Sequence, residues 1–169
     1  DYRVSAFHLW YRFGGRPRHR QGSDCGQAEN RLSAGNSAAL QKQLHKLLLQ
    51  SASYHDTAHE IFYHGLVLGL CAMFDNRYDV TSNRESGEGR YDIQLFPLRK
   101  NLPGILIELK AAKGCSDTAL DELAQNALQQ INDRKYDTEM LKHSVAGIIK
   151  YGVAFCGKKV SIATENTTE

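Results

Sequence analysis

Glu108 and Lys110 stand two residues apart near the end of an apolar run, "ILIELKAAK", residues 105–113. Buried strands rarely carry charge without partners, so the acid and the base need a reason. A second strand-like stretch, "YDIQLF" (91–96), precedes the run across the loop "PLRKNLPG". If the two stretches form an antiparallel hairpin centred near Lys100, Asp92 faces Glu108 with Cβ atoms about 4.5–5.5 Å apart. Alternation then places Glu108 and Lys110 on one face and Ile105, Ile107 and Leu109 on the other. Two close carboxylates repel, and one takes up a proton unless a cation intervenes. A hard divalent ion resolves that conflict with oxygen ligands, the backbone carbonyl of residue 109 being a further candidate. Lys110 lies too far along the strand to pair with both acids and is left to hold a water or a phosphate oxygen. That set suits metal-assisted hydrolysis of a phosphodiester. An E-x-K pattern alone is common and reads equally well as a salt bridge. The combination points to chemistry: an Asp strand, a short loop, an apolar strand ending in E-x-K, and an amphipathic helix after it.

Those residues need elements to hold them. The spacing of Leu40, Leu44, Leu47 and Leu48 predicts a helix over 37–49. A second helix over 58–74, "AHEIFYHGLVLGLCAMF", is apolar nearly all round and is expected to be central, capped by Asp56 or Thr57. Gly65 and Gly69 on one of its faces would let another element approach closely. Strands follow at 78–85, 91–96 and 105–110. Ser116 or Asp117 caps a helix over 118–135 whose stripe is Leu120, Leu123, Ala124, Ala127, Leu128 and Ile131. After a polar connector, "GIIKYGVAF" and "KKVSIAT" flank "CGKK" as a hairpin, and "ENTTE" is expected to fray. The order α, α, β, β, β, α, β, β predicts an α/β fold, a mixed central sheet flanked by helices.

The 169 residues fit one domain able to bury a real core. Residues 1–36 carry six arginines against three acids, whereas the rest carries 15 basic and 16 acidic side chains. The body is therefore no basic clamp, and phosphate binding there must come from local placement or a metal. The Arg- and Gly-rich N-terminal segment reads as a tail, a leader or a remnant of a neighbouring domain, and 37–169 as the folded domain. Its aromatic stretch "FHLWYRF" needs burial, against this domain or a second copy of the chain. Four scattered cysteines without a CxxC pair suggest neither a zinc knuckle nor a disulfide scaffold, with a reducing cytoplasmic setting as the default. No apolar run reaches membrane-spanning length.

"GRYDI…ILIELK" resembles the PD-(D/E)XK nuclease superfamily, in which an Asp and an E-x-K on a β-hairpin hold the metal. The order αβββαβ over 58–155 is that superfamily's restriction-endonuclease-like core. More narrowly, "FYHGLVLGL", "SNRESGEGRYDI" and "ALQQINDRKY" are similar to the nuclease-like domain that follows an AAA-ATPase-like module in many bacterial proteins. This second resemblance covers 37–165. The resemblance implies Asp92 and Glu108 as ligands of Mg²⁺ or Mn²⁺, Glu60 as an additional ligand or water holder, and Lys110 as the catalytic lysine. Gln130 and Tyr136 resemble a Gln/Tyr motif that supports the site or contacts nucleic acid. Their spacing of six is longer than the commonest form, and Gln129 competes for the amide role. Tyr91 stands where the superfamily's name has Pro. The implied function is a nuclease acting on DNA rather than RNA, with an AAA-ATPase-like partner in cis or in trans. The alternative is a binding or regulatory module of that fold with cleavage weakened or lost.

Arg84 and Arg90, in "SNRESGEGR", are candidates to contact phosphate, or belong to a polar turn. His55, Asp56, His59 and His64 cluster around the start of the second helix. They lack the companion Cys or HExxH pattern of a zinc site; His59 and His64 are expected to line the cleft mouth or pack, with His55 in a loop. No nucleophile elbow or Walker A pattern occurs.

Overall fold

The computed structural model describes residues 31–167, apart from 54–56, 58, 84, 87, 88, 91 and 144. Helix α1 (Ser37–Ser51) opens the fold, with Asn36 Oδ1 accepting from Ala39 N as its cap. Helix α2 (Glu60–Cys71) follows and ends in a 3₁₀ turn over Ala72–Phe74. Strand β1 (Tyr78–Ser82), a two-residue hairpin of β2 (Glu85–Ser86) and β3 (Gly89–Arg90), and strands β4 (Ile93–Pro97) and β5 (Gly104–Ala112) come next. Helices α3 (Asp117–Asp133) and α4 (Thr138–Lys142) cross over to β6 (Ile148–Cys156) and β7 (Lys159–Thr167).

The main sheet has five strands in the order β1-β4-β5-β6-β7. Only the β5–β6 pair is parallel, so the sheet is mixed as the sequence predicts. The β4–β5 register pairs Ile93 with Ile107, Gln94 with Leu106 and Leu95 with Ile105. That is the register that sets Asp92, one residue before β4, against Glu108.

Each face of the sheet has its own core. Ile105, Ile107 and Leu109 of β5 pack with Ile149, Tyr151, Val153 and Phe155 of β6 beneath α1 and α2. Leu106 packs on the opposite face with Leu120, Ala124, Leu128 and Ile131 of α3 and Met140 of α4. Buried on both faces, the central strands read as nearly continuous apolar runs. α3 starts at Ser116, whose Oγ accepts from Ala119 N. It lies so close to β6 that a side chain at Gly152 would run into the backbone of Ala124 and Leu128. The α3 end is a Schellman turn: Lys135 adopts φ 52°, Lys135 N donates to Asn132 O and Tyr136 N to Ile131 O.

Several expectations need correction. α2 begins at Glu60 behind His59, which makes no side-chain cap bond. Only Tyr63, Val67 and Cys71 of α2 are buried, and among the described residues nothing approaches Gly65 or Gly69. That helix is a peripheral layer rather than a central rod. β1 stops at Ser82 because Asn83 turns left-handed at φ 53°. The polar connector contains α4, whose five residues are too few to show periodicity. Glu165–Thr167 do not fray: they pair with Ile148–Lys150 in β7. Leu32, counted with the N-terminal segment, is 4 % exposed in the core, and its carbonyl accepts from Tyr151 OH at 2.6 Å. Cys115 and Cys156, 41 positions apart, are joined as a disulfide, a pairing that sequence distance concealed. Among the described residues no helix is long and apolar enough to cross a membrane.

Candidate active site

Asp92, Glu108, Lys110, Gln130 and Tyr136 meet at the corner where the β4–β5 hairpin is overlaid by the end of α3. Leu109 N donates to Asp92 Oδ2 at 2.7 Å, so the main chain of β5 orients the first carboxylate. Asn83 N donates to the Asp92 carbonyl at 3.1 Å. His64 Nε2, on α2, lies 3.3 Å from the same carbonyl. Sequence reading left His64 to line the cleft or pack; its position ties α2 to the Asp92 backbone.

Glu108 is buried, 3 % exposed. Its Oε1 accepts from Lys110 Nζ at 3.0 Å and from Gln130 Nε2. Its Oε2 is buried and has no hydrogen-bond partner among the described residues. Burial, and after it the neighbouring Asp92 carboxylate, push Glu108 up to about 7 against the pull of Lys110. Lys110 sits at the rim with 30 % of its side chain exposed.

Of the two candidate amides, Gln130 reaches Glu108, whereas Gln129 donates to Asp133. The Schellman turn doubles the chain back, so Gln130 Nε2 and Tyr136 OH come within 3.3 Å despite their spacing of six. Tyr136 is 2 % exposed. It packs in the core beneath the site, and its hydroxyl reaches Gln130.

The remaining expected residues are not brought in. Glu60 is exposed at the start of α2. Among the described residues, no three His, Cys, Asp or Glu side chains are grouped to hold a metal ion. Arg84, His55 and Asp56 lie outside the described residues, and of Arg90 only the backbone, paired with Glu85, is described.

Comparison with known proteins bears on this corner. Residues 58–165 match the family described as the PD-(D/E)XK nuclease superfamily. The chain belongs to that superfamily. The match spans both strands of the hairpin and the helix bearing Gln130, and the five-stranded mixed sheet agrees with the superfamily's restriction-endonuclease-like fold. Among solved structures, the chain is similar to the crystal structure of SSO0001 at 17 % identity and a TM-score of 0.33, over 98 % of this chain and 78 % of that one. No curated protein matches the chain.

Two carboxylates, one with a bare buried oxygen and a proton affinity raised toward neutrality, make a donor set that suits a hard divalent cation. The geometry offers Asp92 and Glu108 as side-chain ligands, and Glu60 lies exposed at the start of α2.

Proposed function

We propose that this protein is a metal-dependent nuclease that hydrolyses phosphodiester bonds of DNA, with Mg²⁺ or Mn²⁺ held by Asp92 and Glu108. The observation that carries the reading is the buried, unpartnered Glu108 Oε2 beside a second carboxylate. Leaving such an oxygen unsatisfied costs about 1–3 kcal/mol or more for a charged group, and a cation removes that penalty. A divalent ion there supplies an activated water and neutralises charge developing on the phosphate. The protein's own part is positional. Leu109 N fixes Asp92, and Gln130, backed by Tyr136, fixes Glu108. Lys110, half released to solvent at the rim, is placed to exchange Glu108 for a phosphate oxygen or the attacking water. The narrower sequence resemblance supports an AAA-ATPase-like module, in cis or in trans, as the partner delivering substrate.

Incubation with plasmid, linear and single-stranded DNA and with RNA, in Mg²⁺ or Mn²⁺, tests this beside Glu108→Ala and Lys110→Ala. DNA cleavage that both substitutions abolish is expected. Cleavage surviving both would sink the proposal.

A second reading, a binding module with weakened cleavage, draws on the absence of Glu60 from the ligand set and on the double engagement of Glu108 Oε1. Titration with Mn²⁺ separates the two: a nuclease gains thermal stability that Glu108→Ala removes, whereas a metal-free module gains none.

A further inference from the structure

A second cavity opens on the same face of the sheet, one step along β4 from the site. It encloses about 200 Å³ and is lined by Asp79, Thr81, Gln94, Phe96, Glu139 and His143. Asp92, Gln94 and Phe96 alternate onto one face, so Gln94 lies about 7 Å along the strand from Asp92. Gln94 is 4 % exposed, in mid-strand between Thr81 and Leu106. Its Oε1 is buried with no hydrogen-bond partner among the described residues. A buried amide oxygen without a partner is costly for the fold, and the Gln94 side chain lines the cavity floor. The walls narrow the ligand's chemistry. Phe96 and His143 meet edge to face, centroids 5.4 Å apart, and form an aromatic corner on which a flat ring can lie. Asp79 and Glu139 are acceptors only, which disfavours an anion and favours N–H donors.

We infer that this cavity is a nucleobase subsite, taking an unstacked base that bears an amino group, adenine or cytosine, next to the phosphate at Asp92 and Glu108. The base stacks on the Phe96–His143 corner, its amino hydrogens meet the Asp79 and Glu139 carboxylates, and the Gln94 NH₂ serves a ring acceptor. The inference rests on the nuclease reading for its substrate class. It adds a preference that the metal corner cannot express, since phosphates carry no sequence information.

The test is equilibrium binding of labelled single-stranded dA, dC and dT homopolymers and an abasic strand, in Ca²⁺ to suppress turnover. Cleavage of the same strands in Mg²⁺ and Mn²⁺ is followed in parallel. The dA and dC strands are expected to bind about tenfold tighter than dT and abasic strands, the worth of one good amide–base pairing. Gln94→Leu, which removes a buried polar group and needs no refolding, brings all four to one level with no loss of thermal stability. Asp79→Ala, at an exposed position, narrows the same gap. Equal binding of all four strands, or a ranking that survives Gln94→Leu, overturns the inference. Cleavage without ranking removes the subsite and leaves the nuclease reading. Ranking without cleavage does the reverse. Failure to bind any strand removes both. Stabilisation by Mn²⁺ that Asp79→Ala abolishes would assign the cavity to a cation and also overturn the proposal.

Discussion

Two charged side chains are buried on the α3 face of the sheet, and the fold treats them differently. Lys150, 6 % exposed on β6, is surrounded: Asp137 at 2.7 Å, Asn132 at 2.9 Å and Glu165 at 3.7 Å. Asn132 also donates to Glu165, closing the network. Glu108, one strand away and as deeply buried, has partners on one oxygen and none on the other. Lys150 ties α3, the α4 cap and β7 together and is structural. Glu108 is left incomplete, at a cost the rest of the fold carries, which is what a site awaiting a ligand looks like.

The sharpest way to break this comparison is to remove each charge in turn. Glu108→Ala is expected to lower cleavage about a thousandfold, some 4 kcal/mol of barrier, while thermal stability holds or rises. A variant that loses stability and keeps activity would place Glu108 with Lys150. Lys150→Met should do the opposite. It is expected to cost about 3 kcal/mol in chemical denaturation by stranding partners packed around it, the low end for a buried pair because Glu165 is 44 % exposed. Activity per folded molecule should be unchanged.

Acid titration sharpens the same contrast. The Glu108 carboxyl is raised from 4.5 to about 7 in the fold, so between those values the native state keeps a proton that the unfolded chain has lost. Metal-free stability therefore falls as pH rises through that window, by about 3 kcal/mol, and levels off above it. Glu108→Gln should flatten the curve. A melting temperature that climbs across the window in the metal-free protein would contradict the assignment. The smallest effect is expected at Gln130→Leu: about tenfold weaker Mn²⁺ binding by calorimetry, with kcat reduced in step, the usual loss when a ligand's orienting partner goes.

Much of the Asp92–Glu108 corner was legible in the sequence. The hairpin register followed from loop length, and alternation then assigned Glu108 and Lys110 to one face, as observed. Local periodicity placed α3, and its Ser116 cap followed from residue type. What stayed hidden depends on contacts rather than pattern. The left-handed turn at Lys135, with no glycine to announce it, is what brings Tyr136 under Gln130. Glu60 matched a motif, but the direction in which the first turn of a helix faces is decided by packing. Gln94 carried no motif at all; its signal, a lone amide in an apolar strand, acquires meaning only once its neighbours are known.

Gly152 lets α3 rest directly on β6, beside Glu108 in the parallel register. The distance between catalytic strand and supporting helix is thus fixed by a hydrogen atom. A single methyl added at this one point would lift the amide off the carboxylate without touching either.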